Sequence, residues 1–232
     1  MKLNASQIEN LYKFTRQHYV YHYDVQSELV DHLANDIEQI WEENPKISFE
    51  NARDKSFKKF GIFGFMNVVE AKQKQMNKRY WKILWRFIKE WFQLPKIILT
   101  TLIFISFYFL FNSTLSSKIL LGLILILSTY EIYISWKLRQ KRKNQEEKTF
   151  LLEAMIGNAS NSFTLLTLVN LFHIVNLVDS NIHLLSTYWI ILISFLVTLF
   201  SIASYITSVI IPKKAQELLE ETYPEYKMIK KM

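Results

Sequence analysis

A chain of 232 residues that is 50% apolar, with a mean hydropathy of +0.06, has the average composition of a soluble domain, but its charges are too unevenly placed for a single soluble core. Residues 97–136 and 150–211, 102 positions together, contain only Lys118, Glu131, Glu153 and Asp179 as charged groups, whereas about a third of the other 130 residues are charged. With no cysteine there is no disulfide framework, cysteine nucleophile or thiolate metal site. The formal charge of +7 does not point to nucleic acid, because residues 1–60 carry ten acidic against eight basic side chains and the positive excess lies beside the apolar segments.

The N-terminal segment lacks the uninterrupted apolar stretch and small-residue cleavage site of a secretory signal, which predicts a cytosolic N-terminus. Ser6 and Glu9 have capping-box spacing ahead of Ile8, Leu11 and Phe14, predicting a first helix. Asp24 is placed to cap a second helix to about Trp41, whose Val25, Leu29, Leu33, Ile37 and Trp41 recur at four-residue steps and form one apolar stripe. Ser48 can cap a third, with Phe49, Ala52, Phe57 and Phe60 inward and Gly61 as its stop. Gly64 allows another turn before a helix through Met66, Val68 and Val69. No strand pattern of comparable strength occurs, so the expected class is all-α, with a cytoplasmic helical minidomain over residues 1–75.

Glu28-Leu29-Val30-Asp31-His32-Leu33, followed by Ile37-Glu38 and then Ala52, Phe57, Phe60 and Gly61, resembles the E-L-x-D-H-L … A … F-G pattern of the small helical HAAS or permease-prefix domains. Such domains precede membrane spans in bacterial proteins and occur with PadR-type regulators and macrolide-exporter-like permeases. The resemblance covers about residues 20–70. The chain departs from the pattern in its long Trp41 to Pro45 connection and its aromatic loop Gly61-Ile62-Phe63-Gly64-Phe65. The resemblance implies a cytoplasmic regulatory or protein-interaction module without catalytic residues.

His18 and His22, and Glu28 and His32, stand four residues apart, the spacing that puts two metal ligands on one helix face. A helix start at Asp24 separates the two pairs, so neither a metal site nor a cofactor is predicted. Four glycines (Gly61, Gly64, Gly122, Gly157) cannot form a phosphate-binding loop or a dinucleotide fingerprint, and no G-x-S-x-G or H-E-x-x-H occurs. The chain is therefore not expected to be an enzyme.

Over residues 76–94, Trp81, Leu84, Trp85, Ile88 and Trp91/Phe92 recur at helical steps, with Lys78, Lys82, Arg86 and Lys89 opposite. This predicts an amphipathic interfacial helix whose Trp81, Trp85, Trp91, Lys82, Arg86 and Lys89 anchor it in lipid headgroups. Residues 95–211 carry four apolar stretches, roughly Ile97 to Phe111, Lys118 to Trp136, Ser160 to Val178 and Thr187 to Ile211, and residues 212–232 form a tail. The first, with fifteen residues, reaches only about 22 Å and must borrow flanking residues or be re-entrant, with Pro95 suited to its first turn. Lys and Arg number eight in 72–96, six in 137–148 and five after Ile211, against only Lys118 between the first two spans and none between the last two. That alternation predicts a four-helix transmembrane bundle in the bacterial inner membrane with both termini cytoplasmic.

The third span carries Asn158, Asn161, Thr164, Thr167, Asn170, His173, Asn176 and Asp179 at every third residue, a row that winds around the helix and predicts protein on most sides. Ser194, Thr198, Ser201, Tyr205 and Ser208 give the fourth span a seam of small and polar residues suited to pack on the third. Ionisable or polar groups inside a membrane mark functional positions, which makes Asn170, His173, Asn176 and Glu131 the candidate intramembrane site. Glu131 is also within snorkelling distance of the basic loop as a structural ion-pair partner. The candidate contact surface for a protein partner is Asp31, Asp36, Glu38 and Glu42 with Phe63 and Phe65. Two functions follow as expectations: an anchor, sensor or accessory subunit that binds lipids and a protein partner or a second copy of itself, or a small transporter with a polar path along the third span.

Overall fold

The computed structural model describes residues 2–112, 116–143, 149–179 and 185–226. The described residues are all-helical and contain no strand. They divide into two compact units, Met1–Arg79 with Glu147–Ala154, and Tyr80–Glu146 with Met155–Met232.

In the first unit, α1 (Ala5–Gln17) starts earlier than Ser6 and Glu9 suggest: Asn4 is the N-cap and shares a reciprocal capping box with Gln7. Asn is as strong a cap as Ser, so the cap moved two residues back, and Glu9 instead pairs with Lys13 at 2.8 Å. The helix α2 (Tyr23–Glu43) buries Val25, Leu29, Leu33, Ile37 and Trp41 along one stripe, with Val30 and Ile40 widening it. It packs on α1 through Leu11 and Phe14 and on α3 (Phe49–Lys58), whose N-cap Ser48 accepts from the Asn51 N–H.

Asp24 does not cap α2. The helix begins one residue earlier, and the Asp24 carboxylate accepts the Leu151 N–H at 3.0 Å, while the Tyr23 N–H donates to the Thr149 carbonyl at 3.0 Å. The first N–H groups of a helix have no partner within it, and here two helix starts, α2 and α7 (Leu151–Asp179), satisfy each other. The Tyr23 and Phe150 rings close the junction at 5.5 Å.

Between α3 and α4 (Met66–Trp91), the chain turns at Gly61 and Gly64, both at positive φ (77° and 54°), where an L side chain is strained. A Cβ on Gly64 would also come within 3.0 Å of the Phe57 ring, whereas one on Gly61 would meet open space. Gly64→Ala is therefore expected to destabilise the first unit by about 1–3 kcal/mol and Gly61→Ala by less, read as faster amide exchange across α2 and α3. Equal effects at the two glycines would leave the Phe57 contact without consequence.

In the second unit, α5 (Lys96–Asn112) packs along α8 (Thr187–Tyr205) through Phe107, Leu110, Phe111 and Ile190. The remaining helices are α6 (Ser116–Lys143), α7, α9 (Ile211–Lys213) and α10 (Ala215–Thr222). A π-helical turn, Ile206–Ile210, joins α8 to α9. It lies just before Pro212, which has no N–H to offer the Ser208 carbonyl four residues back and whose ring crowds it. The Ser208 carbonyl accepts the Ser160 hydroxyl of α7 at 3.4 Å.

The continuous run Thr187–Lys213, 27 residues containing an 18-residue stretch of mean hydropathy 2.2, is long and apolar enough to cross a membrane. The helices α4 and α5, bent by 86° at their break, meet the same test as one broken span, so one or two spans qualify by length and composition among the described residues.

Candidate functional site

The acidic surface expected on α2 is partly consumed by the fold. Asp36 is bound by Lys59, and Glu38 accepts the Leu3 N–H at 3.0 Å, leaving Asp31 and Glu42 exposed. Burial acts to raise the Asp36 carboxyl, but hydrogen bonds from Lys59 and Ser56 and the charges of Lys59 and Lys55 outweigh it and hold the group below its ordinary range. Of the two loop aromatics, Phe63 is 71% exposed and Phe65 only 1%, so Phe65 belongs to the core and not to a contact surface. Its ring sits 4.8 Å from Phe57 and 4.9 Å from Phe60. Ile62, which sequence reasoning passed over, is 99% exposed and takes its place beside Phe63.

His18 is held by fold contacts: its Nδ1 lies 2.9 Å from the Phe14 carbonyl, which can only accept, so Nδ1 carries the proton, and its ring lies 4.4 Å from Phe57. Among the described residues, no group of three or more histidines or carboxylates is placed to hold a metal ion. Burial lowers the His22 imidazole below its ordinary 6.5, against the opposing charge of Asp24. The unfolded chain then takes up a proton at a higher pH than the folded one. The stability from neutral His22 is complete above pH 6.5 and is lost as pH falls from there through the lower folded value; that from Asp36 is lost further down, below its ordinary 3.8. Protection of the α2 amides, measured relative to their intrinsic exchange rates, is expected to fall in two steps on acidification, and His22→Gln should remove the upper one. An unchanged upper step in that variant would exclude His22 as its source.

The interfacial face of α4 is rotated from its expected setting. Tyr80, Ile83, Leu84, Phe87 and Trp91 are buried, while Trp81 and Trp85 are 67% and 58% exposed. Trp91 is thus a packing residue and not a headgroup anchor, because tertiary contacts select the 80-84-87-91 stripe over the neighbouring one. Burial without a hydrogen-bond partner pushes the Tyr80 hydroxyl up to about 12. The basic side chains remain outward: Arg86 pairs with Glu221 of α10 at 3.1 Å, Lys89 stacks over Trp85, and Lys82 is exposed.

The polar candidates separate. Glu131 of α6 accepts a hydrogen bond from Ser204 of α8 at 2.9 Å, and Ser204 is 2.6 Å from the Thr167 hydroxyl of α7. Its partner among the described residues is thus a serine, and the basic side chains at 139, 141, 142, 143 and 148 expected to pair with it lie outside the described residues. One turn along α6, Ser135 meets Ser160 and Thr164 of α7 at 3.2 and 3.1 Å. These fully buried hydroxyls let three helices approach closely. Beside Glu131 lies a cavity of about 700 Å³ lined by α5, α6, α7 and α8, with mainly aliphatic and aromatic walls. Asn170 lines it too, with its amide donating to the Leu166 carbonyl at 2.8 Å. His173 is exposed and does not line it, and the side chain of Asn176 lies outside the described residues. Leu165, Leu166 and Val169 of α7 are 46–63% exposed, so at these described residues the third apolar segment is open, where its polar row suggested protein on most sides.

No family model, curated protein or solved structure matches the chain.

Proposed function

We propose that the chain is a four-span protein of the bacterial inner membrane, with both termini cytoplasmic, whose helical N-terminal module docks a protein partner while the bundle anchors it. The observation that carries this reading is the division into a charge-rich unit and an apolar one, in a sequence whose Lys and Arg alternate across the four apolar segments as the positive-inside rule requires. The exposed Ile62 and Phe63 of the loop and the outward Asp31 and Glu42 of α2 offer the module apolar and acidic groups for docking. The resemblance of Glu28 to Leu33 to permease-prefix domains supports the same role.

The chain has no cysteine, so single cysteines at positions 114, 145 and 183 report topology without background. An impermeant maleimide applied from outside is expected to label 114 and 183 but not 145. Labelling of 145 from outside would sink the four-span reading. Crosslinking in native membranes is expected to capture a stoichiometric partner that is lost when residues 1–75 are deleted; elution as a bare homo-oligomer would sink the recruiting role.

A second reading, a small transporter, draws support from Asn170, Thr167 and Glu131 facing one cavity. Under it, Asn170→Leu with His173→Leu abolishes solute flux in proteoliposomes, and partner capture without flux excludes it.

A further inference from the structure

The cavity beside Glu131 has the properties of a site for an amphiphile. Its volume of about 700 Å³ lies within the range of about 300–1,000 Å³ usual for small-molecule sites. From Lys96 to Phe107 its α5 wall extends about 16 Å at helical rise, a length suited to a hydrocarbon chain. Leu99, Ile103, Phe107, Phe200 and Ile202 supply apolar wall, and Ser204 and Thr167 form a hydrogen-bonded polar group with Glu131. Among the described residues, two charged side chains line the cavity, and they differ in sign: Lys96, whose ammonium also lies 5.5 Å from the Trp91 ring, and Glu131.

A carboxylate accepts several hydrogen bonds, and the Ser204 hydroxyl supplies one, so Glu131 keeps capacity for a donor from a ligand. In an apolar wall the strongest complement to a carboxylate is a cation that also donates, and the complement to Lys96 is an anion. One headgroup carries both, a phosphate joined to a primary ammonium.

We propose that this cavity binds a phosphoethanolamine-headed lipid, its ammonium received by Glu131, its phosphate by Lys96 and a hydrocarbon chain laid along α5 and α8. This rests on the membrane reading of the second unit. It adds to that reading a lipid-specific site built from α5, α6 and α8 that the apolar composition alone does not require.

The test reconstitutes the full chain in phosphatidylcholine nanodiscs doped with one photoactivatable lipid at a time, carrying a diazirine on the acyl chain and a phosphoethanolamine, phosphoglycerol or phosphocholine head. Labelling of α5 and α8 peptides is expected to favour the phosphoethanolamine probe over the other two by about tenfold, the factor that follows from one charge-assisted hydrogen bond. Glu131→Gln should erase the preference while general labelling persists. Ser201→Phe, which fills the cavity from α8, should remove labelling by all three probes at these peptides, so a poorly folded Glu131 variant does not leave the matter open.

Equal labelling by the three heads in the unmodified chain, or an undiminished preference in a folded Glu131→Gln variant, overturns the proposal. Carbonate extraction of native membranes separates the two levels. Release of the chain into the supernatant overturns the membrane reading and this inference with it, whereas retention with equal labelling overturns the lipid site alone.

Discussion

Phe65→Ala is expected to destabilise the first unit by about 3–5 kcal/mol, the usual consequence of truncating a buried aromatic. Phe65 is 1% exposed and touches four rings, with Phe57 and Phe60 within 5 Å and His18 and Phe14 at 5.8 and 6.2 Å. Truncation removes those contacts and leaves a cavity where α1, α3 and the start of α4 meet. Against a total of about 5–15 kcal/mol for a domain, the loss is large enough to open the unit, and partner capture should fall with it. Phe63→Ser, two residues away, changes a side chain that is 71% exposed and should alter stability by no more than about 0.5 kcal/mol. It should nonetheless abolish capture, since Phe63 and Ile62 form the apolar part of the proposed docking surface. Amide exchange over α1, α2 and α3 reads the first effect and crosslinking yield reads the second. Capture that survives Phe63→Ser in a folded chain would remove the loop from the interface.

What the sequence revealed of this unit depends on how local the deciding interaction is. The α2 stripe was legible because a four-residue apolar repeat has one helical solution, and Ser48 was legible because cap and helix are neighbours. The start of α1 was misplaced because Asn4 and Ser6 are competing caps two residues apart. Asp24 was assigned to its own helix, yet its carboxylate meets a backbone N–H 127 positions away, which no local pattern announces. Phe63 and Phe65 alternate around Gly64, and only the tertiary ring cluster decides which of the two turns inward.

In the second unit, Glu131 and Asn170 are visible as polar residues in apolar surroundings, but Ser204, the Glu131 partner, lies one residue off the seam of Ser194, Thr198, Ser201, Tyr205 and Ser208, and nothing in the sequence singles it out. A signal for the π turn was present: Pro212 ends a long apolar run, and its missing N–H frees the carbonyl of Ser208, so a hydroxyl on a neighbouring helix could have been sought. The seam is expected to pack on the third apolar segment. The helix α8 and its π turn have two neighbours, with Ser204 and the Ser208 carbonyl meeting α7 while the Ile190 end of α8 lies against α5. The partner choice follows side-chain volume, since hydroxyls admit close approach to α7 and the aromatic residues of α5 fill the wider gap.

The setting of α4 leads to the other large expected effect. The sequence permits two stripes on this helix, 80-84-87-91 and 81-85-88-92, both rich in aromatics, and the two readings differ in what Trp91 does. As a headgroup anchor, Trp91 could be replaced by Phe with little consequence. As found, it is 7% exposed, its indole N–H donates to the Thr100 hydroxyl at 3.1 Å, and its ring meets Tyr205 edge-on at 5.8 Å. Thr100 in turn donates to the Lys96 carbonyl at 3.1 Å, so each proton in the chain from Trp91 to the first turn of α5 has one acceptor. These contacts brace the corner where α4 and α5 are bent by 86°. Trp91→Ala should therefore cost about 3–5 kcal/mol, and Trp91→Phe about 1 kcal/mol through the lost hydrogen bond. Once Thr100 is Val, the Phe substitution should add little further, because the bond it removes is already gone; a double-mutant cycle on thermal unfolding in detergent isolates that term. A neutral Trp91→Phe combined with a mild Trp91→Ala would return the indole to the lipid interface and place the 81-85-88-92 stripe against the protein.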